Sequence, residues 1–115
     1  MRWEVGNVTI YKIVDMVGGG AGVRALLPSA TAEEIVKMPW LVPRYAEPNG
    51  ALKLTVHSWL VKTPSLNIIV DTGVGNGKLN SSRPHWNERK GDYLHQLESS
   101  GCDANSVDLI ICRHL

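Results

Sequence analysis

The segment that most constrains this chain is residues 67–77, where a short apolar run ends on a carboxylate and passes directly into a glycine-rich loop. Residues 68–70 are aliphatic, and Asp71 follows them. Glycine then occupies every second position: Gly73, Gly75 and Gly77. This pattern predicts a buried β-strand that delivers Asp71 to a flexible loop. Because functional residues are often held on loops at strand ends, the role of Asp71 decides most of the functional interpretation.

The segment before Asp71 predicts a β-hairpin. Residues 52–62 alternate between two sets of side chains and predict a long strand. The turn at 63–66 is short, so the strand over 67–71 returns antiparallel to the first. We expect that returning strand to be central in the sheet.

Residues 72–77 are here called the glycine loop. The segment after it predicts a helix and a last strand. Helical spacing of apolar residues predicts a helix over 86–99 that Gly101 ends, and residues 107–112 predict a short buried strand. A strand reached through such a crossover lies parallel to the strand before it. Asp71 and His114 are therefore expected on the same edge of the sheet.

The N-terminal half predicts two further strands and a short helix. Residues 3–5 and 8–17 predict strands joined by a tight turn, and the glycines at 18–20 predict a flexible loop. Thr31 begins a capping-box pattern for a helix over 31–38. All these elements together predict an α+β fold with a mixed, mostly antiparallel sheet.

Composition excludes several classes of partner. The chain has 115 residues and a net charge of +1, which fits one domain and gives no electrostatic basis for binding nucleic acid or an anionic membrane. No apolar run approaches the roughly 20 residues that span a bilayer, and the N-terminus lacks a signal-peptide core. Two cysteines make no disulfide framework, and Cys112 is expected to be a small buried hydrophobe. We therefore expect a cytoplasmic protein.

The pair Asp71 and His114 is the first candidate for chemistry. A carboxylate and an imidazole on one edge of a sheet suit a metal ion or general acid–base catalysis. The competing interpretation makes Asp71 a turn cap, with its oxygens accepting N–H groups from residues 72–74. In that case His114 is an ordinary surface residue.

The triplet Asp71-Thr72-Gly73 also has a second interpretation. An apolar pair followed by Asp-Thr-Gly is the signature of aspartic proteases, whose small dimeric type shares one catalytic Asp from each subunit. Two features disfavour it here, since 70 residues precede Asp71 and a helix with a His-terminated strand follows it.

The other histidines and one tryptophan complete the set of candidates. His57 and Trp86 are candidates for lining a substrate pocket, although packing against a neighbouring layer is the competing interpretation of His57. His85 is expected in a polar loop, and His95 lies within the predicted helix.

The two strand ends together resemble the metallo-β-lactamase-fold hydrolases. Residues 68–73 resemble that family's first motif, in which an aspartate ends a strand. Residues 107–115 resemble the strand that leads into its metal motif, His-x-His-x-Asp-His, with His114 as the first histidine. Arg113 stands where the family commonly has Thr or Ser. Segments 71–76 and 84–86 are similar to a branch with lactonase-like and organophosphate-hydrolase-like members.

This resemblance implies that residues 1–115 are the N-terminal portion of one αββα sandwich domain, truncated within the metal motif. Since a catalytic zinc needs about three protein ligands, we expect the chain alone to bind no zinc tightly and to be inactive. We also expect poor solubility, because half a sandwich exposes the apolar face of its sheet. A non-catalytic truncated domain is the alternative.

For the intact enzyme the resemblance implies two zinc ions and a metal-bound hydroxide that attacks a small-molecule ester, lactone, amide or phosphoester. His114 would bind metal, and Asp71 would support the site by orienting the ligands. The sequence does not set the oligomeric state.

Overall fold

The computed structural model describes residues 1–19, 21–79 and 84–114. The strands and helices, in chain order, are β1 (Arg2–Val5), β2 (Val8–Gly19), α1 (Ala21–Leu26), α2 (Ala32–Val36), β3 (Lys53–Lys62), β4 (Asn67–Val70), α3 (Tyr93–Ser99) and β5 (Leu109–Ile111). Two short 3-10 turns, Pro84–Trp86 and Ala104–Ser106, precede and follow α3 in the chain.

The strands form one five-stranded sheet in the order β1-β2-β3-β4-β5. β1 pairs with β2 and β3 with β4 in antiparallel fashion, whereas β4 and β5 are parallel. This confirms the predicted hairpin, the strand-helix-strand unit and the α+β class with a mixed sheet. It also places β4 inside the sheet and β5 at its edge.

The chain divides into two units, the first made of Met1–Met16 and Val56–Leu115 and the second of Val17–Thr55. In the first unit the alternation of β3 separates two faces of the sheet. The face that packs against α3, here called the covered face, contributes Ile13, Leu60 and Ile69 to a core completed by Leu97 and Cys102. This core is what fixes β2, β3 and β4 beneath α3.

The opposite side of the first unit's sheet, here called the open face, is also apolar. Its members line a groove of about 370 Å³: Trp3, Ile10, Trp59, Val61 and Val70. The register explains the grouping, because Trp3 pairs with Ile10 and Trp59 pairs with Val70 across adjacent strands. The Trp3 and Trp59 rings are 5.4 Å apart between centroids.

The second unit holds α1 and α2 and an irregular segment. The predicted cap is present, since the Glu34 backbone N–H donates to the Thr31 hydroxyl at 3.3 Å, although the Glu34 side chain pairs with Lys37. The helix is shorter than the predicted 31–38. Gly50 has a φ of +81°, and a Cβ there would lie 2.6 Å from the Ala32 carbonyl oxygen, so glycine is required at this turn.

Two element predictions were wrong in extent. The helix expected over 86–99 begins only at Tyr93, because residues 87–91 make backbone and side-chain bonds to the glycine loop instead. Of the glycines expected to form a flexible loop, Gly18 and Gly19 lie in β2 and helix α1 follows, while residue 20 lies outside the described residues.

The expectation of a buried last strand was also wrong. Leu109, Ile110 and Ile111 are 46%, 54% and 45% exposed, because β5 is an edge strand. Cys112 is exposed as well, and the buried cysteine is Cys102, which lies against the core just after α3. Among the helices of the described ranges, none has the length and apolar character needed to cross a membrane.

Candidate functional site

The parallel pairing of β4 with β5 brings Asp71 next to the end of the chain. Ile68, Ile69 and Val70 stand opposite residues 109–111. The ladder continues for one more bond, in which the Asp71 N–H donates to the Ile111 carbonyl oxygen at 2.8 Å. Both strands therefore end at one edge of the sheet, as the crossover predicted.

Asp71 uses both carboxylate oxygens to hold Arg113. The Arg113 backbone N–H donates to Oδ1 at 2.9 Å, and the Arg113 Nε–H donates to Oδ2 at 2.6 Å. The same Oδ2 forms an ion pair with Arg113 Nη2 at 2.6 Å. The backbone bond from Arg113 and then its side-chain bond hold the pKa of Asp71 below the ordinary value of 3.8, and the charge of His114 acts in the same direction.

This geometry separates the interpretations of Asp71. A carboxylate with a lowered pKa and two occupied oxygens is a poor general base, and it differs from a protease dyad, in which two carboxylates share one proton. The turn-cap interpretation is wrong in detail, since the Val74 N–H donates to Asp15 rather than to Asp71. What Asp71 does is fix the backbone of the residue that precedes His114.

His114 is exposed and lies directly after the Arg113 that Asp71 holds. Within the described ranges, no three or more side chains of His, Cys, Asp or Glu converge as a metal-binding group. A catalytic zinc needs about three protein ligands, so these residues do not fit a complete metal site. We assign no catalytic step through a metal to them.

A buried carboxylate that the sequence did not single out, Asp15 on β2, organises the loop after Asp71. Its side chain is 1% exposed and forms an ion pair with Arg89 at 3.0 Å. Its Oδ2 accepts the backbone N–H groups of Val74 at 2.6 Å and Gly75 at 3.3 Å. Arg89 also donates to the Asp15 carbonyl oxygen at 2.7 Å. The signal was present in the sequence, because Asp15 stands two residues after the apolar Ile13 and so shares its face of the strand.

The glycine loop bends around that carboxylate, and its expected flexibility stays a prediction. Positive φ angles recur at every second residue: Asp71 (59°), Gly73 (74°), Gly75 (82°) and Gly77 (64°). Such turns present successive N–H groups to an anion. Asn76 ties the loop to Gly91 with two hydrogen bonds of 2.8 Å, which explains why residues 87–91 are not helical.

The remaining candidates lie at separate places. His57 contacts the ring of Trp59, two residues along the same strand, edge-on with centroids 5.0 Å apart, and its packing against a neighbouring layer stays untested. Trp86 lies half-buried in the 3-10 turn before α3, while His85 in that turn and His95 on α3 are exposed. The roles of His57 and Trp86 as pocket residues stay predictions.

No protein-family model matches the chain, and no curated protein matches it. Solved structures do. A probable metal-dependent hydrolase from Staphylococcus aureus has a TM-score of 0.66 and 20% identity, and the match covers 97% of this chain and 39% of that one. AidC, a dizinc quorum-quenching lactonase solved with a product, has a TM-score of 0.68 and 20% identity over 99% of this chain and 35% of its own.

A third solved structure, the hydrolase AbOPH of the beta-lactamase superfamily, has a TM-score of 0.65 and 20% identity over 99% of this chain and 35% of its own. The chain thus spans between 35% and 39% of the length of these three structures. The resemblance seen in the sequence is confirmed for the fold. The chain has the fold of a part of the metallo-β-lactamase-type hydrolases.

Proposed function

We propose that this chain supplies one part of the active site of a metal-dependent hydrolase. The observation that carries the proposal is the hydrogen bond from the backbone N–H of Arg113, directly before His114, to the carboxylate of Asp71. Metal ligands need neighbouring groups that orient them, and a carboxylate that holds the backbone next to a histidine is such a group. The shared fold with hydrolases, one of them a dizinc lactonase, supports the same conclusion.

In this proposal His114 binds zinc and Asp71 orients the segment that carries it. The other ligands come from polypeptide outside the 115 residues, since the described part of the chain does not complete a metal site. The substrate is a small ester, lactone, amide or phosphoester. The 115 residues alone are proposed to be inactive, to occur in the cytoplasm and to belong to the N-terminal part of one domain.

The decisive experiment begins with the gene sequence past the codon for Leu115, followed by expression of the complete product. We expect codons for His-x-Asp-His within reach, bound zinc, and hydrolysis of lactone or ester substrates. His114→Ala should lose most of the zinc and the activity. His95→Ala is the matched control, because His95 is exposed on α3 and should leave both unchanged.

Two results would overturn the proposal. One is a complete product whose zinc content and hydrolysis survive His114→Ala. The other is a stop codon directly after Leu115 together with no zinc binding by titration calorimetry, which would favour a non-catalytic domain. Pepstatin-sensitive proteolysis that Asp71→Asn abolishes would restore the protease interpretation.

A further inference from the structure

We propose that Asp15 is a positioning residue for the edge that carries Asp71 and His114, because its buried carboxylate holds the glycine loop in the shape that Asp71 requires. Its catalytic meaning rests on the proposed function, but the physical claim does not. The claim is that Asp15, on β2, controls the hydrogen bonds between Asp71 and Arg113.

The first step is the backbone of Asp71. Its φ of 59° is in the left-handed region, which is uncommon for a non-glycine residue, although Asp adopts it more readily than most. On one side Asp71 is held by its own N–H bond to Ile111. On the other side the chain is held three residues later, where the Val74 N–H donates to Asp15. Asp71 therefore lies between two anchors.

The second step is the close approach of the loop to Asp15. A Cβ on Gly73 would lie 2.7 Å from Asp15 Oδ2. Only glycine fits at position 73, directly before the two N–H groups that Asp15 accepts. The loop is consequently shaped around this carboxylate.

The third step is Arg89, which fixes Asp15 from the other side. The Arg89 side chain is 15% exposed and bonds both the carboxylate and the carbonyl oxygen of Asp15. The Arg89 carbonyl oxygen in turn accepts the Gly77 N–H at 3.0 Å. The loop is thus anchored near its start by Asp15 and near its end by the segment that carries Arg89.

A purely stabilising role is a weaker explanation of this cluster. Replacing a buried ion pair by apolar residues of similar size is often neutral or stabilising. The presence of the Asp15–Arg89 pair is therefore weak evidence that these residues serve to stabilise the fold. What a carboxylate supplies here, and an apolar side chain does not, is an acceptor for the loop N–H groups. Those bonds specify the geometry of the segment that begins at Asp71.

The test is nuclear magnetic resonance on the whole 115-residue chain, comparing wild type with Asp15→Ala, which removes both oxygens that accept from the loop and from Arg89. We expect the Arg113 Nε–H resonance to shift toward that of a solvated arginine. Exchange of the Arg113 backbone N–H should accelerate by about tenfold more than that of Leu60, since a hydrogen bond to a charged group contributes roughly this factor. A merely structural role would lower the stability of the whole fold and would accelerate exchange at Leu60 at least as much as at Arg113.

Glycine substitutions give a matched pair for the same readout. Gly73→Ala and Gly77→Ala both place a side chain at positive φ, but only the first brings a Cβ against Asp15, since nothing lies within 4 Å of a Cβ at Gly77. We expect Gly73→Ala to shift the Arg113 Nε–H resonance and Gly77→Ala to leave it in place.

Should Asp15→Ala not fold, Gly73→Ala gives the same test, because its Cβ pushes the loop away from the Asp15 carboxylate while Asp15 and Arg89 stay in the sequence. Wild-type Arg113 resonances and exchange in either folded variant would overturn the proposal. These readouts need neither metal nor substrate. A complete product without hydrolase activity would therefore defeat the proposed function and leave this result standing.

Discussion

The two faces of the sheet in the first unit are both apolar, but they are buried to different degrees. On the covered face Leu60 is 0% exposed and Ile69 3%, because α3 packs over them. On the open face Trp3 is 40% exposed and lines a groove with its neighbours. A sheet that is apolar on both sides is typical of one that is covered on both sides. The other four residues of the groove are half-buried, so the open face has the composition of a core but is only partly covered.

Polar groups sharpen the contrast between the faces. The covered face buries Asp15 and Ser58, and each has a partner, with Ser58 accepting the Tyr93 hydroxyl at 2.8 Å. Within the described residues, every buried side-chain nitrogen or oxygen has a hydrogen-bond partner. The groove on the open face is lined by apolar side chains. The buried carboxylate that holds the loop after Asp71 therefore lies on the covered face.

The largest expected effect separates two neighbours on β3. Leu60→Ala should lower the free energy of unfolding by about 2–5 kcal/mol, because it leaves a cavity in the core. Val61→Ala on the open face should cost about 1 kcal/mol, since each fully buried methylene contributes about 0.8 kcal/mol and Val61 is only partly buried. Urea denaturation of both variants measures the difference. Equal losses would contradict the distinction between the faces.

A second prediction concerns association through the open face. The wild-type chain should self-associate with increasing concentration, as exposed apolar patches do. The double variant Ile10→Thr, Val61→Thr should weaken association by about tenfold, because it removes apolar area from the contact. Sedimentation velocity measures this.

Leu94→Thr is the control for that measurement, since Leu94 is 57% exposed on α3 and lies outside the open face. It should leave association unchanged. A wild-type chain that stays monomeric at every concentration tested would break the comparison and remove the expected poor solubility.

The smallest expected effect is the alkaline behaviour of Tyr93 on the covered face. Burial raises the pKa of Tyr93 above its ordinary 10.0, and the charge of Asp15 raises it further, while the bond to Ser58 lowers it. The folded state favours the neutral phenol, so its contribution to stability is complete below pH 10.0 and is lost as pH rises through the raised pKa.

Urea unfolding at a series of alkaline pH values checks this, with Tyr93→Phe as the matched variant. The variant should lose about 1 kcal/mol at neutral pH, because it leaves the Ser58 hydroxyl without its donor. Its stability should fall less steeply with pH than that of the wild type. Identical slopes in the two proteins would show that Tyr93 is not desolvated by the covered face.

Local patterns predicted the elements on which this site is built. The alternation over 52–62, the turn at 63–66 and the helical spacing before Gly101 predicted the hairpin and the parallel crossover. These features depend on neighbours in the chain, and the structure has them in β3, β4, α3 and β5. The exposure of β5 was missed, since an apolar run has the same appearance at the edge of a sheet as at its centre.

The partners at the candidate site were not predictable in the same way. Asp15 and Arg89 are 74 positions apart, and Asp71 and Arg113 are 42 apart. No periodicity records which carboxylate meets which guanidinium, because that depends on how the folded backbone brings distant segments together. The resemblance to a metal motif directed attention to His114 but left Asp15 unnoticed.

The sequence by itself determined that Asp71 ends a strand and that a second strand, one helix later, ends beside it. Periodicity and the handedness of a crossover are enough for that. Only the tertiary structure decided that Asp71 holds Arg113 and that Asp15 accepts hydrogen bonds from the loop after Asp71. The physical reason is that a carboxylate takes its partners from whatever donors the folded chain brings within about 3 Å, and sequence distance does not limit that choice.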